Sequence, residues 1–303
     1  MMFMTRIPEI LREQARNSEL IVFVGAGVSR NSSVVLGDDC KVVHPEDWRG
    51  LLETIAVNLD LVDGDGKALD PEYGELVDSL SPLDLAEYLS FIAKEHGVDR
   101  DIRSWIKRVV EEPEAGTFFE PNEWHDALLN LGEYGPRVTV TTNYDRLLER
   151  KFGTDGFAAY NYSAKNLNTI LTAKERPIFK LHGSIEDRAN RLIISSSDYQ
   201  WLEHEGRLML DALRSLLMTR TALFVGYGLG DPDVNHILSS IFTEHRGSVE
   251  EPSHFILHED SPGFVYRKEM LKEWYGVQSL SYEVTKKSDH SQGLEMLRAI
   301  GGQ

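Results

Sequence analysis

The sequence predicts an α/β protein built on a Rossmann-like, doubly wound parallel sheet. Three observations carry this. Runs such as Leu20 to Val24, Arg137 to Thr142, Pro177 to Leu181 and Thr221 to Val225 are short, apolar and rich in β-branched or aromatic residues, the pattern of strands buried on both faces. The first three of these runs stop at Gly25-Ala26-Gly27-Val28-Ser29, Asn143-Tyr144-Asp145 and His182-Gly183-Ser184, as strand ends do where they converge on a ligand. Stretches of helical periodicity alternate with the runs throughout.

The elements follow in chain order. Ile7 to Asn17 reads as an amphipathic helix, with Ile7, Ile10, Leu11 and Ala15 on one side. After the first strand and its Gly25-Ala26-Gly27 turn, Ser29 to Ser33 reads as a polar stretch. Pro45 to Leu59 is helical, with Trp48, Leu51, Leu52, Ile55 and Leu59 as its apolar side. Ser81-Pro82-Leu83-Asp84 starts a helix: Ser caps, Pro takes the first helical position and Asp84 sits in the first turn. That helix should reach about His96, with Gly97 ending it. Asp99 to Val110 and Glu123 to Leu131 make two more, so residues 70–132 read as a helical insertion within one domain spanning 1–303.

Tyr144 to Phe152 should be a helix at the ligand-facing end of the second strand. Arg191 to Ser195 reads as a short strand within a polar hairpin, with Asp198-Tyr199 just after it. Leu208 to Thr219 is helical. Asp231-Pro232 caps and opens a helix through Phe242. His254 to Leu257 and Val277 to Tyr282 are the last strands, and Leu294 to Ile300 a closing helix.

Composition narrows the function. The 303 residues are enough to bury a full core. Hydrophobic residues at 41% and charged residues at 27% are those of a soluble globular protein. No apolar run approaches the ~20 residues of a membrane helix. Met1 to Arg16 shows no signal-peptide apolar region, so a cytoplasmic location and no membrane contact are expected. A net charge of −17 disfavours nucleic acid, because like charge repels the phosphate backbone. It suits either an acidic soluble surface or docking to a basic partner. Cys40 is the single cysteine, which excludes an internal disulfide and a Cys-rich zinc site; it is expected as a loop or core thiol. Asp63-Gly64-Asp65-Gly66 fails as a calcium loop, since aligning Gly66 with the loop glycine puts Leu61 at the first ligand position. It reads as an exposed turn.

The motifs differ in specificity. Gly25-Ala26-Gly27 after a buried strand allows close backbone approach to a phosphate. A dehydrogenase fingerprint also wants Gly or Ala where Arg30 stands, and an acidic residue ending a clear second strand. Both are missing. Asn143 and Asp145 are equally good helix caps, and a lone His182 is an ordinary turn histidine. Their joint placement at parallel strand ends is what suggests a common site.

In that order, Gly25-Ala26-Gly27-Val28-Ser29, Thr142-Asn143-Tyr144-Asp145, Lys180-Leu181-His182-Gly183-Ser184 and Val225-Gly226-Tyr227-Gly228 resemble the NAD-pocket motifs of the sirtuin superfamily. The resemblance spans roughly residues 20–240. More narrowly, the chain is similar to bacterial sirtuin-like proteins of phage defence. These share Thr-Thr-Asn-Tyr-Asp, a Trp-Leu-Leu helix like Trp48 to Leu52, an Asp-Tyr like Asp198-Tyr199, and a Gly-Tyr-x-x-x-Asp-Pro like Gly226 to Pro232. Departures include the absent four-cysteine zinc module, Asn31 to Leu36 in place of the deacetylases' Gly-Ile-Pro-Asp-Phe-Arg, and Thr142 in place of Gln.

The resemblance implies an NAD glycohydrolase, taking NAD as substrate without zinc and acting in abortive antiphage defence. In that reading Asn143 holds the ribose and water, Asp145 binds the carboxamide and His182 is the base. Ala26, Gly27 and Ser29 cradle the diphosphate, Gly226, Tyr227 and Gly228 take the adenosine side, and Gly25 and Thr142 are further cofactor-binding residues. It also implies a homo-oligomer and a partner such as an ATPase. A non-catalytic NAD or ADP-ribose sensor and a protein-lysine deacylase are the alternatives.

Overall fold

A computed structural model describes residues 7–37, 40–77, 79–153, 156–172, 174–244, 254–260, 264–284 and 289–302. Met1 to Arg6 of the Met1 to Arg16 stretch read above and Gln303 lie outside them. Strands are β1 (Ile21–Val24), β2 (Val34–Leu36), β3 (Lys41–Val43), β4 (Val138–Thr141), β5 (Phe157–Asn161), β6 (Arg176–Lys180), β7 (Ala222–Val225), β8 (His254–Glu259) and β9 (Val277–Tyr282). The first helices are α1 (Glu9–Arg16), α2 (Ala26–Ser29), α3 (Trp48–Asn58), α4 (Pro71–Leu76), α5 (Pro82–Glu95), α6 (Ile102–Val110) and α7 (Glu123–Leu129). The rest are α8 (Leu147–Phe152), α9 (Leu167–Thr172), α10 (Ser196–Glu205), α11 (Arg207–Thr219), α12 (Pro232–Glu244), α13 (Phe264–Tyr275) and α14 (Ser291–Gly301).

Among the described residues, seven strands form one sheet in the order β5-β6-β4-β1-β7-β8-β9, and every pairing in it is parallel. The doubly wound fold expected from the sequence is present. The chain builds outward from β1 on one side through β4, then crosses to β7 on the other. That reversal opens a crevice at the carboxyl ends of β1, β4 and β7, the switch point where ligands bind in such sheets. Register brings the ends level: Val24 pairs with Thr141 and with Val225, and Thr141 pairs with Lys180.

The central strands bury both faces. In β1, Ile21 and Phe23 enter the core beneath α9, α11 and α12. Val22 and Val24 enter the opposite core, beneath α1, α7, α8 and α14. Alternation with period 2 thus feeds two cores from one apolar run. A third cluster packs α3, α4, α5 and α6 against Tyr144, Ile185, Leu192 and Ile194, forming a helical roof beside the strand ends. The insertion boundaries expected at 70 and 132 do not match this packing. Residues from α3 belong to the roof, whereas α7 contributes Trp124, Ala127 and Leu128 to a sheet-face core.

Other differences have local causes. Gly25-Ala26-Gly27 is not followed directly by a polar loop, because Ala26–Ser29 completes one helical turn. β2 (Val-Val-Leu) and β3 (Lys-Val-Val) form a small antiparallel hairpin whose residues are half-buried or exposed, and runs of three are too short to stand out as strands in the sequence. Edge strand β5 buries only Phe157. Arg191 to Ser195 forms no strand; residues 183–195 are a looped segment held by Arg103, which donates to the carbonyls of Ser184 (2.8 Å) and Asn190 (2.5 Å). Asp63 to Gly66 is an exposed turn, and Cys40 is an exposed loop thiol. Among the described residues no helix is long and apolar enough to cross a membrane.

Candidate active site at the strand ends

The loops after β1, β4, β6 and β7 border one cavity of about 610 Å³, within the usual size of a small-molecule site. Gly25, Ala26, Ser29, Thr142, Asn143, Asp145, His182, Gly226, Tyr227 and Gly228 all line it. The roof closes the far side with Trp48, Leu51, Pro82 and Leu83. Of the residues the sequence singled out for this site, only Gly27 is absent from the walls.

Gly27 has a packing role instead. Its N–H donates to the Gly226 carbonyl at 3.0 Å, so it is not free for a phosphate. A Cβ at Gly27 would stand 2.9 Å from the Gly226 Cα. Gly226 itself has φ +58°, and a Cβ there would lie 2.6 Å from the Val28 nitrogen. Two glycine turns therefore interlock, which lets the β1 and β7 loops share one rim.

Ser29 is also committed within the protein. Its hydroxyl donates to Asp145 Oδ2 at 2.9 Å and accepts from Asn143 Nδ2 at 3.0 Å. With its one proton spent on Asp145, it has no donor for a diphosphate oxygen, contrary to the cradle expected from the sequence. It joins the β1 loop to the β4 loop. Asn143 is further held by its backbone N–H, which donates to Thr141 Oγ1 at 3.0 Å, while the Thr141 hydroxyl donates to the Val24 carbonyl at 2.7 Å. All four polar residues are buried. Asp145 Oδ1 accepts the N–H of Leu147, the first residue of α8, at 3.0 Å, although Arg146 holds the N-cap position; α8 begins three residues later than the sequence suggests. An ionised carboxylate has about four lone-pair sites, so Asp145 retains acceptor capacity toward the cavity.

His182 follows β6, and its carbonyl accepts the Ile193 N–H at 3.1 Å. Nε2 lies 2.9 Å from Asp231 Oδ2, at ion-pair distance though without the alignment of a hydrogen bond. The Tyr199 hydroxyl donates to the same Oδ2 at 2.9 Å, and the Tyr199 and His182 rings meet edge to face at 5.1 Å. Burial alone would raise the Asp231 carboxyl, but the neighbouring His182 and the hydrogen bonds from Val234 and Tyr199 outweigh it and hold the group below its ordinary value. Burial, then the Asp231 charge, pushes nearby Asp233 up to about 6.

Asp231 and Tyr199 are site residues that sequence reasoning passed over. Asp231 was legible as a helix start, and it does accept the Val234 N–H at 3.0 Å through Oδ1. Its second oxygen faces the site. In the Asp198-Tyr199 pair the roles divide: Asp198 accepts from Ile194, Ser195 and Arg191, capping α10, while Tyr199 reaches the cavity. Among the described residues no cluster of His, Cys, Asp and Glu is disposed to hold a metal ion.

The fold and this rim define a doubly wound α/β protein with a ligand-sized cleft at its switch point. More narrowly, residues 137–280 match the family model described as the SIR2-like domain. It is 27% identical to an NAD(+) hydrolase ThsA of Acinetobacter baumannii over 92% of the chain and 48% of that relative. It is 29% identical to the ThsA of Cytobacillus dafuensis over 73% of the chain and 37% of that relative. Defense-associated sirtuin 2 of Bacillus subtilis is 25% identical over 83% of the chain and 22% of its own length. The chain thus spans less than half the length of these three relatives. A solved Sir2 homologue mutant in complex with ADP ribose superposes with a TM-score of 0.45 at 12% identity, covering 98% of this chain and 96% of that one.

Proposed function

We propose that this protein is an NAD glycohydrolase, cleaving NAD to nicotinamide and ADP-ribose, and that it serves bacterial defence by depleting NAD. The observation that carries the reading is a single cavity bordered by both the Asn143–Ser29–Asp145 network and the His182–Asp231 pair. The names of the relatives support the substrate and the setting.

The chemistry asks little of an acid. When the bond from ribose C1′ to the pyridinium nitrogen breaks, its electron pair stays on nitrogen and nicotinamide leaves neutral. The ribose passes through an oxocarbenium-like state. The oxygen of water then bonds to C1′ and its proton is released. The protein has to orient the ribose, hold the carboxamide and place the water. Asn143 keeps one amide proton and its carbonyl oxygen for ribose and water, since only one N–H is spent on Ser29. Asp145 accepts the carboxamide N–H. His182 takes the proton, a task suited to imidazole near neutral pH. The diphosphate runs along Gly25 and Ala26, and the adenosine side along Thr142, Gly226, Tyr227 and Gly228.

The test is incubation of the purified chain with NAD, followed by chromatography of nicotinamide and ADP-ribose. Equimolar release is expected. Asn143→Ala and His182→Ala should each slow it by ~10²–10⁴-fold, the usual worth of a positioned acid–base group, with unchanged circular dichroism. Undiminished product from either variant would overturn the assignment. NAD bound but left intact would identify a sensor. Consumption only in the presence of an acetyl-lysine peptide would identify a deacylase.

A further inference from the structure

We propose that Asp231 is the positioning residue for His182, holding the ring in the Nε2–H tautomer and leaving Nδ1 as the nitrogen that takes a proton. The inference rests on the hydrolase reading for its kinetic consequence, but not for its geometry.

Three separate segments build the arrangement. His182 comes from the end of β6, Asp231 from the residue before α12, and Tyr199 from the first turn of α10. Asp231 and His182 are 7% and 6% exposed, so water does little to screen them. Oδ1 of Asp231 receives the Val234 N–H, and Oδ2 receives the Tyr199 hydroxyl and faces Nε2 of His182. A carboxylate oxygen can only accept, so the ring nitrogen beside it is the one that carries hydrogen. In a neutral imidazole the other nitrogen then keeps its lone pair. The edge of the Tyr199 ring limits rotation of the imidazole, so plane and tautomer are fixed together.

The competing account is that Asp231 is only a helix cap. Capping uses one oxygen and needs no charge; Asn caps as well as Asp. It does not explain why a tyrosine from another helix and a histidine from another strand converge on the second oxygen. The two accounts separate in Asp231→Asn. Its carbonyl oxygen stays on the Val234 N–H, which turns the amide NH₂ toward His182. Facing a donor, Nε2 must become the acceptor, and the hydrogen moves to Nδ1. A wrong tautomer in unchanged geometry is known to be severe where a histidine acts as base.

The experiment is a long-range ¹H–¹⁵N correlation spectrum of the full chain labelled at histidine nitrogens, with the His182 signals assigned by their loss in His182→Ala. Nε2–H is expected in the wild type and Nδ1–H in Asp231→Asn. In the NAD assay, Asp231→Asn should lower kcat by about 10²-fold, with KM within about threefold of wild type. A wild-type His182 in the Nδ1–H form overturns the inference on its own, even if the variant does not fold. So does an Asp231→Asn variant with an unchanged tautomer or a wild-type kcat. If His182→Ala turns NAD over normally, or the wild type does not cleave it, the hydrolase reading fails, while the spectra still decide whether Asp231 sets the ring.

Discussion

Ser29→Ala removes a side chain that ties the β1 loop to the β4 loop at the cavity rim. Its hydroxyl makes two buried hydrogen bonds, one to a carboxylate and one to an amide. Bonds to charged groups contribute about 1.5–3 kcal/mol and neutral ones about 0.5–1.5 kcal/mol. The sum is an upper bound, because Asn143 and Asp145 border the cavity and water can reach the freed groups. A loss of about 2 kcal/mol in global stability is expected. Urea unfolding at pH 7 reads this as a lower midpoint at constant slope. If the lost energy had been holding Asn143 in its working position, 2 kcal/mol corresponds to about 30-fold in kcat/KM. A double-mutant cycle with Asn143→Ala should show strong non-additivity in rate, since the two residues act as one unit. A Ser29→Ala variant within about 0.5 kcal/mol of wild type, with undiminished turnover of NAD, would refute the claim that this network organises the site.

Two further perturbations test the frame around the site. Acidification from pH 6.5 to 4 should destabilise the fold, because burial holds His125 and His254 down to about 4. Each is neutral when folded, and Nδ1 of each accepts a backbone N–H, from Asn122 and Ala222 respectively, so protonation would set donor against donor. The unfolded chain takes up those protons as pH falls through 6.5, costing about 3 kcal/mol per histidine. Asp233 works the other way, since its folded form binds a proton near pH 6, and it offsets up to about 3 kcal/mol. Burial also holds His258 down to about 4, so three histidines oppose Asp233, and chemical denaturation across this range should show a net loss of at least about 3 kcal/mol; stability flat or rising toward pH 4 would contradict it. Gly226→Ala should cost about 3 kcal/mol, combining left-handed backbone strain with a Cβ 2.6 Å from the Val28 nitrogen. Gly37→Ala, also at positive φ (+64°) but with no atom near the new methyl, should cost only about 1 kcal/mol, both read by urea unfolding at pH 7.

The parts of the structure legible in the sequence were those where burial dominates. The runs at 21–24, 138–141 and 222–225 are buried at every position, so their apolar composition was a direct record of their place at the sheet centre. Caps were legible for the same local reason: Ser81 accepts the Asp84 N–H, and Asp231 accepts that of Val234. Edge strand β5 and helix α13 were not, because half-exposed elements carry no clean period. Of α13's apolar residues, Leu271 is buried while Val265, Tyr266 and Trp274 stand open. Within the site, the residues could be named but not their bonding. Whether Asp145 caps a helix or faces a ligand depends on which of its oxygens is occupied, and a sequence does not separate two oxygens. The resemblance implies a diphosphate contact for Ser29, whereas its single hydroxyl proton is claimed by a carboxylate 116 residues away.

The cleft also cuts across the matched family segment. Residues 137–280 supply Asn143, Asp145, His182, Tyr199 and Asp231. The opposite wall comes from earlier in the chain: Gly25, Ala26 and Ser29 from the β1 loop, and Trp48, Leu51, Pro82 and Leu83 from the roof. Sheet order makes this unavoidable, since β1 is the strand between β4 and β7. Without it, those two strands would lose their shared neighbour, and the Asn143–Asp145 pair would lose its bridging hydroxyl. Whatever ligand the cleft takes must therefore be gripped between the strand-end rim and a roof built from residues outside that segment. Substitutions at Trp48, Leu51 and the start of α5 should accordingly change KM more than kcat.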